Sequence, residues 1–90
     1  MKFQHYDLGN LSQGQSVEVS LRGNAANVLL LDNINFSRYK NGQGYKHYGG
    51  HITTSLTRLP IPSSGRWHIA IDLGGYGYGG SVNSAVRVLG

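Results

Sequence analysis

The sequence predicts an all-β domain, a small antiparallel β-sandwich or jelly roll of about six to eight short strands with at most one helical turn. Three observations predict it. Residues 16–22 alternate strictly, with Val17, Val19 and Leu21 on one face and Glu18, Ser20 and Arg22 on the other, the period-two signature of a half-buried strand. Val28, Leu29, Leu30 and Leu31 form a continuous apolar run flanked by Asn27, Asp32 and Asn33, as expected of a central strand buried on both faces. No segment carries apolar residues at helical spacing over three turns, and turn signals recur between the strand-like stretches.

Taken in order, residues 2–8 read as a first strand ended by the turn dipeptide Gly9-Asn10. Gly23-Asn24 turns the second strand (16–22) into the third (27–32), so these two are expected as a hairpin or close pair. Asn33 can cap one helical turn over 33–39, with Ile34, Phe36 and Tyr39 reaching the core, and Asn41, Gly42 and Gly44 then break it. From His51 alternation resumes, Ile52, Thr54 and Leu56 against Thr53, Ser55 and Thr57, until Leu59-Pro60-Ile61-Pro62 stops it. Proline has no N–H for a ladder, so this segment should follow an edge or bridge two sheets. After a turn at 63–65, Trp67, Ile69, Ile71 and Leu73 face one way and His68, Ala70 and Asp72 the other. The tryptophan can plug one end of the core where its indole N–H finds an acceptor. Residues 74–80, GGYGYGG, form a glycine-rich loop or tight turn exposing Tyr76 and Tyr78, and Val82, Val86 and Val88 alternate with Asn83, Ala85 and Arg87 in a closing strand.

Ninety residues suit one domain, 1–90, and the lack of cysteine leaves packing alone to stabilise it. The N-terminal MKFQHYDLG has no apolar signal region, and no stretch approaches the roughly 18 apolar residues of a membrane span, so a cytoplasmic location without membrane contact is expected. The net charge of +4 favours an anionic partner. Most basic residues are scattered singly, which weakens a nucleic-acid reading; Arg38, Lys40 and Lys46 alone gather in one stretch.

No catalytic constellation is visible. His47 and His51 have a metal-ligand spacing, but Gly49-Gly50 between them removes its helical meaning. His68 and Asp72 share a strand face about 13 Å apart, too far for a hydrogen bond. There is no nucleophile elbow, no paired carboxylate set and no Walker-type Gly-Lys-Ser/Thr. Asn27, Asp32, Asn33 and Asn35 lack calcium-loop spacing and suit turn and cap duty, with Asp32 bracing the loop entrance. Neither enzyme activity, cofactor nor metal is expected. The candidate contact surface is aromatic and basic: Phe36, Arg38, Tyr39, Lys40, Tyr45, Lys46, His47 and Tyr48, extended by Tyr76 and Tyr78. Tyrosine offers flat contact area at low entropic cost, and interleaved cations pair with anions or stack. The competing reading is that Phe36, Tyr39 and Tyr48 only seal an open end of the sandwich. The expected function is a non-catalytic ligand-sensing or protein-interaction module whose 35–48 loop meets an anionic small molecule, glycan or protein. Self-association through strand edges near Pro60 or 81–88, and nucleic-acid binding, are the alternatives.

Several blocks also have a family look: HYDLG at 5–9, G-x-x-VEVSL at 14–21, GNAANV at 23–28, LD-x-x-NF-x-x-YKNG at 31–42, Tyr48-Gly49-Gly50, IP-x-SG-x-WH at 61–68 and S-V-x-S-x-VRV at 81–88. Together they resemble the bacterial family DUF1883 over nearly the whole chain. The resemblance implies a small all-β domain of unknown function, found alone or joined to Toll/interleukin-1 receptor domains, with a role in sensing or assembly. It carries over no catalytic residue, and the glycine-tyrosine loop at 74–80 departs from the family pattern.

Overall fold

A computed structural model describes residues 3–74 and 82–90. Among them run seven strands and one helix, β1 (Gln4–Leu11), β2 (Ser16–Gly23), β3 (Ala26–Asp32), α1 (Asn33–Lys40), β4 (Tyr48–Ile52), β5 (Leu56–Pro60), β6 (Gly65–Asp72) and β7 (Val82–Leu89). The strands form two antiparallel sheets, in the orders β1-β6-β3-β4 and β5-β2-β7. Their inner faces share the main core: Val17, Val19 and Leu21 of β2 against Val28 and Leu30 of β3 and Trp67, Ile69 and Ile71 of β6. A second, smaller core lies on the other side of the four-stranded sheet, where Leu29, Leu31 and Ala70 pack beneath Phe36 and Tyr39 of α1.

This arrangement explains why residues 28–31 are apolar without interruption. β3 runs between β4 and β6, with alternate side chains facing the sandwich core and the helix. The expected pairing of the second and third strands is overturned. β2 pairs with β5 and β7, and β3 with β4 and β6, so the Gly23-Asn24 connection crosses between the sheets. Alternation reports which face is buried, and two strands can share a core as readily across a sandwich as side by side. The 51–57 stretch likewise divides at 53–55. β4 ends one sheet and β5 the other, giving both the bridge and the edges that Pro60 suggested.

Gly9-Asn10 is no terminal turn. The register of β1 on β6 shifts between Asp7 and Gly9, a bulge in which Gly9 takes φ +71° and its N–H donates to Asp7 Oδ1 at 3.0 Å. Gly49 has another reason to be glycine. At φ +94°, an added Cβ would lie 2.2 Å from the Val28 carbonyl oxygen, so β4 is pressed onto β3 as no larger residue allows.

The helix runs for eight residues instead of a single turn. Asp32, not Asn33, caps it, its Oδ1 accepting from the Asn35 N–H at 2.8 Å, while Arg38 and Lys40 sit in the last turn, where cations complement the helix dipole. Phe36 and Tyr39, three apart, form its buried side. Ile34 cannot join them, because residues two apart on a helix do not face one way, and it is 69 % exposed instead of touching the core.

Candidate functional site

The outer face of the four-stranded sheet holds polar side chains under an aromatic roof. His68 lies opposite Asp7 across the β1–β6 pair and is 3 % exposed. Its Nε2 donates to Asn33 Oδ1 at 2.9 Å, which leaves Nδ1 to accept from His5 Nε2 at 2.9 Å. Phe36 stacks on both rings, 4.1 Å from His5 and 4.5 Å from His68 between centroids, and the Lys40 ammonium lies 5.2 Å from the centre of the Phe36 ring. Burial holds both histidines below their ordinary pKa, outweighing the upward pull of Asp7. Asp7 itself is ion-paired to Arg66, whose hydrogen bond draws the carboxyl down to about 2.

A second network lies further along the same face. Asp72 is buried, its Oδ2 accepting from the Tyr39 hydroxyl at 2.5 Å and its Oδ1 from Asn27 Nδ2 at 2.8 Å. Burial, then the hydrogen bond to Asp72, pushes the Tyr39 phenol well above its ordinary pKa, so it is a fixed donor. His68 and Asp72 thus serve separate networks, and neither network presents a nucleophile. The sequence signal for them was the polar residues at alternate positions of an otherwise apolar strand; their partners lie 33 to 63 residues away.

The contact surface expected over 35–48 divides in two. Phe36, at 5 % exposure, and Tyr39, at 1 %, belong to the helix core and are corrected from contact residues to structural ones. Arg38, Lys40, Tyr45, Lys46, His47 and Tyr48 remain exposed. Asn35 organises the rest: its Oδ1 accepts from the Lys46 N–H at 2.8 Å and its Nδ2 donates to Asp32 Oδ1 at 3.0 Å, folding the loop back over α1. Tyr45 then stands edge-on to Tyr39, 5.2 Å between centroids, with His47 at 5.6 Å on its flank. Ile34, Asn35, Arg38, Gly44, Tyr45 and Lys46 line an open hollow there. Tyr48 stands apart on β4, edge-on to Trp67 at 6.1 Å; the tryptophan indole N–H donates to the Ser63 carbonyl at 2.9 Å, as the plugging role requires. Tyr76 and Tyr78 lie outside the described residues.

Residues 1–89 match the family described as a domain of unknown function, DUF1883. The chain belongs to that family. No curated protein and no solved structure matches it. The family therefore assigns this DUF1883 domain no activity, and the site is judged by its chemistry. All four acidic residues are engaged elsewhere: Asp7 with Arg66, Glu18 with Arg58 and Arg87, Asp32 as the cap of α1, and Asp72 with Tyr39 and Asn27. Among the described residues, Arg38, Lys40 and Lys46 have no carboxylate partner, and no group of three or more His, Asp or Glu side chains is placed to hold a metal ion. No helix among them is long and apolar enough to cross a membrane.

Proposed function

We propose that this domain is a non-catalytic binding module that receives an anionic partner on the outer side of α1 and the 41–48 loop. One observation carries the reading. Arg38 and Lys46 stand without an ion-pair partner among the described residues beside an exposed isoleucine and a braced tyrosine, with Lys40 nearby over the Phe36 ring, while Asp7 and Glu18 are ion-paired to other arginines and Asp32 and Asp72 are taken up by hydrogen bonds within the fold. Two of these cations also complement the dipole of α1, but Lys46 lies beyond the helix and that role does not explain it. The hollow is open, which suits a carboxylate-bearing protein surface better than an enclosed small molecule. Nucleic acid fits less well, because Arg58, Arg66 and Arg87 are tied to acids and leave no continuous basic stripe.

The test is a ¹⁵N amide titration of the domain with acidic peptides, nucleotides, acidic glycans and oligonucleotides at low and moderate salt. Saturable shifts over residues 34–48, stronger at low salt, are expected with acidic peptides. The double variant Arg38→Glu, Lys46→Glu should weaken that binding by about tenfold or more. A silent panel on a well-dispersed spectrum would refute the reading.

A further inference from the structure

A second hollow lies where the chain crosses between the sheets. The β2–β3 connection, 24–25, and the β4–β5 connection, 53–55, run side by side, and the space between them is lined by Arg22, Asn24, Thr53, Thr54 and Ser55 over Leu21 and Ala25. Its walls are fixed. The Leu21 N–H donates to the Ser55 carbonyl at 2.9 Å, Ala26 pairs with Ile52, and Thr54 donates its hydroxyl to the Leu56 carbonyl at 3.0 Å. Those bonds occupy the Ser55 carbonyl and the Thr54 proton, and leave the Thr53 and Ser55 hydroxyls and the Asn24 amide with no hydrogen-bond partner among the described residues.

The electrostatics of this hollow have one sign. No acidic side chain lines it, and Arg22 makes no ion pair among the described residues. The nearest acid along its own strand is Glu18, four residues or about 13 Å away, and both of its oxygens are taken by Arg58 and Arg87. A guanidinium whose fork matches an oxyanion, surrounded by free hydroxyl and amide donors, is a receptor for tetrahedral oxyanions. A cation finds no carboxylate here. Among the described residues that line it, a sugar or nucleobase finds no aromatic ring to stack on.

We propose that Arg22, Asn24, Thr53 and Ser55 form a site for phosphate, as the free ion or as the phosphoryl group of a larger ligand. It is independent of the α1 surface. Arg22 lies on a different sheet from the one that carries α1, so the two readings stand or fall separately.

The experiment is an amide titration of the domain with inorganic phosphate, run against sodium chloride at matched ionic strength, followed by glycerol phosphate and a phosphoserine peptide. Saturable shifts confined to residues 22–25 and 53–55 are expected with phosphate and absent with chloride. A phosphopeptide that binds more tightly than the inorganic ion identifies a phosphoryl group on a partner as the natural occupant; equal affinities identify the ion. Arg22→Gln should weaken binding by about tenfold or more, since a charge-assisted hydrogen bond is lost, and Arg22→Lys by less. Thr53→Val with Ser55→Ala should weaken it too, while Arg38→Gln should leave it unchanged. Shifts that merely follow ionic strength, or an undiminished affinity in folded Arg22→Gln protein, would overturn the assignment.

Discussion

The outer faces of the two sheets bury polar side chains to a similar extent by opposite means. On the four-stranded sheet, His68 and Asp72 lie beneath α1 and are held by a hydrogen bond to Asn33 and by bonds from His5, Tyr39 and Asn27. On the three-stranded sheet no helix among the described residues covers Glu18. It is shielded by Arg58 and Arg87, whose side chains are 62 % and 70 % exposed. The first arrangement works in a dry, low-dielectric setting where a lost partner is costly. The second is a surface ion-pair row that water and salt can replace. A small accessible area therefore says little about how much a polar residue matters; what covers it decides.

Breaking the roof should give the largest effect. Tyr39→Ala removes a buried ring and deprives Asp72 of its hydroxyl donor, and should cost about 3–5 kcal/mol in urea unfolding. Tyr39→Phe keeps the ring and deletes the hydrogen bond alone, so about 1–3 kcal/mol is expected. If Tyr39→Phe proved neutral, water would already reach Asp72 and the contrast between the faces would lose its basis.

Acidity should separate the faces next. His5 and His68 are held below their ordinary 6.5, so the unfolded chain binds protons first. Their contribution is complete above 6.5 and is lost as pH falls through 6.5 toward the lower folded values. Glu18 is also depressed, from an ordinary 4.5, by hydrogen bonds from Arg58 and Arg87, so its contribution persists above 4.5 and fades only below it. The covered face should weaken first on acidification. Chemical denaturation from pH 7.5 to 5.5 should show a falling midpoint, flattened in His68→Gln; a flat profile in the unaltered protein would contradict the burial argument. The smallest effect is expected for Glu18→Gln. Its shift in midpoint should be less than that of Tyr39→Phe and should shrink further in high salt, whereas the Tyr39→Phe loss should be insensitive to salt.

Strand identity was legible where burial has a period: Val17, Val19 and Leu21 on β2, the double-sided run of β3, and Trp67 to Asp72 on β6. Partnership was not, because an apolar face takes the same pattern whichever strand lies beside it. The helix shows the same limit. Phe36 and Tyr39 stand three apart, the spacing of one helix face, yet among neighbouring tyrosines and cations the same residue types suit a contact surface. Only the sheet beneath them settles their place. The partners in the histidine and aspartate networks were not legible for another reason, since each network joins elements that meet only through the finished topology.

That topology also bears on the order of events in folding. β2 finds its partners in β5 and β7, and β1 finds its partner in β6, so neither sheet begins with a local hairpin. β3 and β4 are the nearest strands in sequence to pair, and α1 stands between them. Nearly every ladder must close a long loop before it gains a hydrogen bond, which places such a chain among slow folders, in the millisecond-to-second range. During synthesis β2 has no strand to pair with until residues 56–60 have emerged, and β7 adds its second neighbour only after most of the chain has been made.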